Sequence, residues 1–363
     1  MRSYCLLIFL SCSTFLWSQK SAETTAVEVN YFTGNVMQHA PDLAHLVTGH
    51  PEAVMVMLSK KTYGTEEWQR AYNYPDYGLY LLYQDFKNPY LAHNFAIGGH
   101  YNFYFLNRSL TFNVAQGIAY VTKPYNKETN NKNKAFGSTF LANTDFTLQF
   151  KKENVIDRFG FQAGFIFTHF SSGRVIAPNS GINTYNVNLG INYNFEKPHT
   201  FIKDTVAPKD FSEPIKFSCV LRTGINESPI INSGQHPFYH ISFYADKRFN
   251  RKSALQFGTE IFYTMYFKDF IYYQSEAYPE KNIDPNTDYR RIGVFVGHEL
   301  FINRISLEAQ LGYYVYQPYK YDIVVYDRIG MKYYFTKNMF TGLAVKTHAF
   351  MAEALEFGIG ARF

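Results

Sequence analysis

His169, Ser171 and Asn183 are the residues of this chain whose types and spacing suit chemistry on an ester; they sit in GFIFTHFSSG (164–173) and PNSGIN (178–183). A serine hydroxyl attacks a carbonyl only when a neighbouring base takes its proton, and an imidazole does so when a third group fixes its tautomer. An asparagine carbonyl oxygen can accept the Nδ1 proton and orient the ring, but it brings no charge to the imidazolium. The backbone amides of Ser172 and Gly173, just past the hydroxyl, are the expected oxyanion donors. Arg174 follows them and is the cation best placed for an anionic head group.

Side-chain period decides where these groups point. In a strand, His169 and Ser171 share a row with Phe159, Phe161, Ala163, Phe165 and Phe167, while Gly160, Gln162, Gly164, Ile166 and Thr168 form the other row. After a loop at 172–182, Asn183 falls in line with Tyr185, Val187, Leu189, Ile191, Tyr193 and Phe195, against a row holding Asn186, Asn188, Asn192 and Asn194. One row suits lipid and the other a polar or tightly packed interior. The three residues therefore belong on the outer wall, at one rim, where a substrate would be a membrane lipid and not a solute.

The rest of the chain supplies such a wall. Of 363 residues, 31 are Tyr and 35 Phe, yet mean hydropathy is slightly negative at −0.25. No mature stretch approaches the ~20 apolar residues of a membrane helix. Alternating segments are expected near 26–32, 53–63, 74–86, 92–106, 110–122, 138–151, 159–171 and 183–195, then near 215–226, 237–249, 254–267, 289–302, 304–317, 326–336, 339–349 and 354–363. That is an all-β fold, an antiparallel transmembrane β-barrel of about sixteen strands. Short connections at Leu106–Ser109, Asn250–Lys252, Asn303 and Thr336–Asn338 alternate with long polar ones at 123–137, 172–182, 227–236 and 268–288, as inner turns and outer loops do. Two long stretches, 64–73 and 196–214, fall on the inner side against that pattern.

VNLGINYNF (187–195) and LEFGIGARF (355–363) echo one another, and the strands before them finish on Thr168-His169 and Thr347-His348. The chain thus divides into a signal peptide at 1–20, one half at 21–195, a linker at 196–214 and a second half at 215–363. A single barrel is favoured over two in tandem. Cys5 and Cys12 leave with the signal, so Cys219 has no partner for an intramolecular disulfide. The net charge of +5 is modest and without a basic run, so no nucleic-acid partner is expected. The aromatic-ended last strand is an address for outer-membrane assembly machinery.

The stretch from His169 to Asn183, with its flanking strands, resembles the PagL-type lipid A 3-O-deacylases and the related acyloxyacyl hydrolase barrels. The family pattern is His-x-Ser-Asn followed about a dozen residues later by Glu. On that resemblance His169 falls on the general base and Ser171 on the nucleophile. Ser172 stands where the family has Asn, and Asn183 where it has Glu. The resemblance implies an outer-membrane serine esterase of bacteria that acts on lipid A, or lipopolysaccharide, without cofactor or metal. The rival readings are a non-catalytic pore or structural barrel and a phospholipase or esterase on other lipids.

Other candidates have plainer readings. His39, His45 and His50, with Asp42, are spaced by six and five residues, which matches no ligand pair, and Pro41 and Pro51 mark loop. Lys123, Lys127, Lys132 and Lys134 read as a solvated loop. His348 is expected to face inward, Glu356 inward and Glu353 outward.

Overall fold

The computed structural model describes residues 23–203, 211, 213–349 and 351–363. The signal peptide at 1–20 and part of the 196–214 linker lie outside the described residues. Eight strands run β1 (Thr24–Met37), β2 (Glu52–Lys61), β3 (Asp76–Asp85), β4 (His93–Phe105), β5 (Leu110–Val121), β6 (Phe140–Ile156), β7 (Phe159–Ser171) and β8 (Ile182–Asn194). Eight more run β9 (Lys216–Glu227), β10 (Gln235–Arg248), β11 (Ser253–Thr264), β12 (Arg291–Ile302), β13 (Ile305–Tyr316), β14 (Val325–Tyr334), β15 (Met339–His348) and β16 (Met351–Arg362).

All neighbouring pairs are antiparallel, and β8 closes on β1 while β16 closes on β9. Closure therefore gives two rings of eight, in place of the single sixteen-stranded ring the sequence favoured. Alternation along a strand is the same in either closure, so the side-chain pattern could not distinguish them. Ring size was set by which edges met, and β8 met β1 from Ala26↔Asn194 through to Met37↔Asn183.

The outer walls are apolar and the lumens polar. Phe165 is 68% exposed, Leu79 62% and Ile329 65%, values that in water would be costly and in lipid are not. Inside the first barrel, Lys151 Nζ donates to Glu28 Oε1 at 2.8 Å, Asn188 to Gln149 at 2.7 Å and Tyr80 to Asn143 at 2.7 Å. Tyr80 lies across from Gly98 and Gly117, where an added Cβ would stand 2.6 Å from its ring or hydroxyl. Those two glycines make room for the ring. Above this polar layer, Phe32, Phe86, Phe136 and Phe170 close the mouth together with Leu43 and Leu46 from a 3-10 turn at Pro41–Leu46.

The second lumen is ionic. Arg328 donates to Glu260 at 2.7 and 2.8 Å and to Glu356 at 2.6 and 3.1 Å, with Gln310 at 2.8 Å, and is fully buried. Arg222 reaches Glu308 at 2.9 Å, and Lys332 reaches Glu299 at 2.9 Å and Glu308 at 2.7 Å. Helix α1 (Glu67–Ala71) lies in the connection after β2, and helix α2 (Tyr266–Ala277) in the loop after β11. The apolar face of α2, with Tyr266, Phe267, Phe270 and Ile271, packs with Tyr319 over the second mouth.

One strand departs from expectation. Glu353 is wholly buried, not outward, because the β15–β16 register slips between Lys346 and Thr347. The extra residue reverses parity, so Glu353 and Ala354 are buried in succession. Beyond the slip, Glu356 faces inward and His348 is buried, both as expected.

The two barrels touch at both ends. On the side where β1 begins and β16 ends, Tyr72 donates to the Phe301 carbonyl at 2.7 Å, Lys252 lies 4.8 Å from the Tyr72 ring and Arg251 pairs with Glu67. At the opposite end the loop 172–181 reaches across.

Arg328→Met leaves Glu260 and Glu356 buried without that cation, which should cost about 3–5 kcal/mol. The check is the urea midpoint of the purified, lipid-reconstituted protein followed by circular dichroism. An unchanged midpoint would show that the lumen charges are balanced without Arg328.

Candidate functional site

β7 and β8 hold His169 and Asn183 as direct cross-strand partners, one rung from the end of the pairing. Because β7 keeps its period of two as far as Phe170, Thr168 and Phe170 are fully buried in the lumen and His169 stays on the outward row. His169 Nδ1 lies 2.6 Å from Asn183 Oδ1. An amide oxygen only accepts, so Nδ1 carries the proton and Nε2 is left with its lone pair. That is the tautomer a general base requires.

A second histidine completes the arrangement. β1 pairs Met37 with Asn183, and two residues on, His39 Nδ1 lies 3.3 Å from Asn183 Nδ2. His39 Nε2 lies 2.9 Å from the Ser180 carbonyl oxygen. His39 Nδ1 also lies 3.2 Å from the Met37 carbonyl oxygen, so its role follows the tautomer: with the proton on Nε2, Nδ1 accepts from Asn183 and Nε2 donates to Ser180. The loop reading of 39–50 hid this contact, because only strand register brings His39 to the rim.

Ser171 is 8% exposed, and its bonds run to the loop instead of to the imidazole. Its Oγ accepts from Asn179 Nδ2 at 2.9 Å and from the Gly173 amide at 3.1 Å. Asn179 Oδ1 in turn accepts from the Ser172 amide at 2.8 Å. Both amides expected to form an oxyanion hole thus have partners, Gly173 on the hydroxyl itself and Ser172 on Asn179. Gly181, at φ +68°, lies between the two key residues: a Cβ there would be 3.5 Å from both His169 Cε1 and Ser171 Cβ. No sequence signal marked Asn179, since loops have no period to read.

Arg174, the cation the sequence offered for a head group, interacts with Tyr266, Asp322, Glu353 and Tyr321 of the second barrel. Burial works to lower its pKa, but those partners hold the guanidinium above its ordinary value. Burial, and then the Glu353 carboxylate, raises Asp322 above the usual carboxylate range. Asp322, His348 and Glu353 present ligand atoms within 4.8 Å of one another. Arg291 and Lys346 both pair with Glu353, so these carboxylates are already matched by cations.

Below the rim, the outer wall of the first barrel carries a groove of about 440 Å³ lined by Phe146, Leu148, Phe165, Phe167, Tyr185 and Val187. Phe167 and Tyr185 form the same-face rung next below His169 and Asn183. At ~3.3 Å per residue that rung is about 7 Å away.

Fold and wall define a membrane-type β-barrel protein, with a polar cluster on the rim of its apolar face. The chain belongs to the PagL family: residues 52–192 match Lipid A 3-O-deacylase (PagL), and residues 215–363 match Acyloxyacyl hydrolase, C-terminal domain. The second match coincides with the second ring, β9 to β16. Membership supports a lipid A deacylase function and the chemistry of a hydrolase on esters. No curated protein matches the chain. Among solved structures it is similar to a Rh. blastica porin variant at 9% identity over 94% of this chain and 99% of that one, with a TM-score of 0.20. It is also similar to the siderophore receptor PirA from Acinetobacter baumannii at 10% identity over 91% and 44%, with a TM-score of 0.23. Scores that low carry no argument about this chain.

Asn179→Ala leaves the Ser172 amide without its acceptor, which should cost about 1–2 kcal/mol locally. Amide exchange at Ser172 is then expected to quicken by roughly tenfold, while protection in mid-β7 is retained. Unchanged exchange at Ser172 would mean that Asn179 does not hold the loop.

Proposed function

We propose that this chain is an outer-membrane serine esterase that removes an ester-linked acyl chain from lipid A. The observation that carries the reading is the His169–Asn183 hydrogen bond of 2.6 Å, which leaves Nε2 as the free base on the outward row. The apolar groove one rung below, about 440 Å³ in volume, suits the alkyl part of a lipid whose ester lies at the rim. Family membership supplies the substrate class.

In this mechanism Ser171 Oγ attacks the ester carbonyl as His169 Nε2 takes its proton. The tetrahedral oxyanion collapses, His169 returns the proton to the departing sugar hydroxyl, and the acyl group remains on Ser171. Water then enters, His169 takes its proton, and the acyl–serine bond breaks to release the fatty acid and restore the hydroxyl. Asn183 holds the ring throughout, and Asn179 Nδ2, now 2.9 Å from Ser171 Oγ, is close enough to donate to the oxyanion. Asn179 thereby takes a place that Ser172, lacking an amide side chain, does not fill. The reaction needs no cofactor.

A pore is the less supported reading. Lumen residues such as Arg328, Glu356, Tyr80 and Asn188 are at most 1% exposed, so water has little room along either axis.

Lipid A from bacteria carrying the protein should lose one hydroxyacyl chain by mass spectrometry, and Ser171→Ala should restore the full complement. Undiminished deacylation by Ser171→Ala would remove the serine from the mechanism. Asn183→Glu adds a charge facing the imidazolium and is expected to raise turnover roughly tenfold or more; equal turnover would assign the third role to another group. In planar bilayers the purified protein should not conduct, and steady single-channel currents would return the pore reading to favour.

A further inference from the structure

The loop 172–181 carries Gly173 and Asn179, the two partners of Ser171, yet its middle is held by the other barrel. Glu227, the last residue of β9, is 3% exposed and accepts from the Ala177 amide through Oε2 at 2.7 Å. Its own backbone amide donates to the Arg174 carbonyl at 3.1 Å. Gln235, at the start of β10, donates to the Val175 carbonyl at 2.9 Å. Gly173 lies flat on β16, where an added Cβ would stand 2.9 Å from Leu355 Cβ. Arg174 interacts electrostatically with Asp322 and Glu353 of the second barrel, where the β16 bulge turns Glu353 inward.

Resting on the esterase reading above, we propose that the second barrel is the positioning element of the rim site and that Glu227 is its principal positioning residue. Glu227 touches neither substrate nor Ser171. It fixes residues 174–177, and through them the turn from which Gly173 and Asn179 address the hydroxyl. Its other carboxylate oxygen accepts the Gly234 amide at 3.1 Å, so the anchor is itself tied to the second barrel's own loop. A family member with this second barrel thereby gains a rigid frame for a loop that a single ring would leave to solvent and lipid. A displacement of the order of 1 Å at a reacting group costs about 10²-fold in rate, which is the scale on which such a frame acts.

The test uses the full chain in detergent with lipid A as substrate. Glu227→Ala should lower kcat by about 10- to 100-fold with KM within about twofold of wild type, because the groove that binds acyl chain is untouched. Glu227→Gln keeps an oxygen for the Ala177 amide and should recover most of the loss. Heat-modifiable gel mobility reports that both barrels remain folded. Should Glu227→Ala fail to fold, Gln235→Ala, which removes only the Val175 bond, is expected to lower kcat several-fold. Wild-type kcat in folded Glu227→Ala, or in Gln235→Ala when the former fails to fold, overturns the proposal. If Ser171→Ala is fully active, the esterase reading fails by itself; faster amide exchange at Ala177 in Glu227→Ala would still report the clamp, and unchanged exchange there would end it.

Discussion

Each sheet must close on itself, and the rest of the structure follows from that constraint. An open edge in hydrocarbon would strand a row of amide and carbonyl groups at several kcal/mol apiece. Here β8 pairs with β1 over twelve rungs and β16 with β9 over six, so both rings are closed. Eight strands enclose a space that side chains can fill, whereas sixteen leave an aqueous channel. Closing twice, the chain must satisfy its inward polar groups against one another. The result is an amide-rich lumen in the first ring and an ionic one in the second, where Arg328 is shared between Glu260 and Glu356. With both interiors occupied, the proposed chemistry is left to the outer wall and its rims.

The rim cluster inherits its geometry from the same ladder. His169 and Asn183 meet because β7 and β8 are in register, and His39 joins them because β1 brings Met37 opposite Asn183. Ser171 is different, lying where β7 gives out into loop. The hydroxyl is consequently held by Asn179 and Gly173, and the loop that carries those two is braced by Glu227 and Gln235 from the neighbouring ring. A strand can fix a base without help. A nucleophile at a strand's end needs an external frame.

Much of this was legible in the sequence, for reasons that also mark the limit. Alternation is a local signal, so the strand expected at 159–171 is Phe159–Ser171, and the outward row through Phe165 to His169 is where parity put it. Closure is non-local, and neither the repeat of VNLGINYNF in LEFGIGARF nor the 196–214 linker decides which edges pair. Glu353 was misread because a bulge adds one residue without any mark in composition. Nothing in the sequence marks Asn179, His39 reads there as plain loop, and Arg174 reads as a cation for a head group, since a loop's direction depends on what it packs against. For Arg174 that is the second barrel's mouth.

The asparagine at 183 makes sense beside His39. Asn183 accepts from His169 Nδ1 at 2.6 Å and donates to His39 Nδ1 at 3.3 Å, while His39 Nε2 serves the Ser180 carbonyl at 2.9 Å. A carboxylate only accepts, so in that place it could not donate to His39 Nδ1. With an amide at 183, the cluster of Ser171, His169, Asn183, His39 and Asn179 holds no carboxylate, and Arg174 is engaged by the other barrel. At the edge of a membrane such a cluster avoids the desolvation cost of a fixed carboxylate charge. In the proposed mechanism charge then arises only as the ester is attacked, and dipoles must meet it. Dipoles stabilise a transition state only if they are already aimed, which ties the loss of the acid at 183 to the need for a braced loop at 172–181.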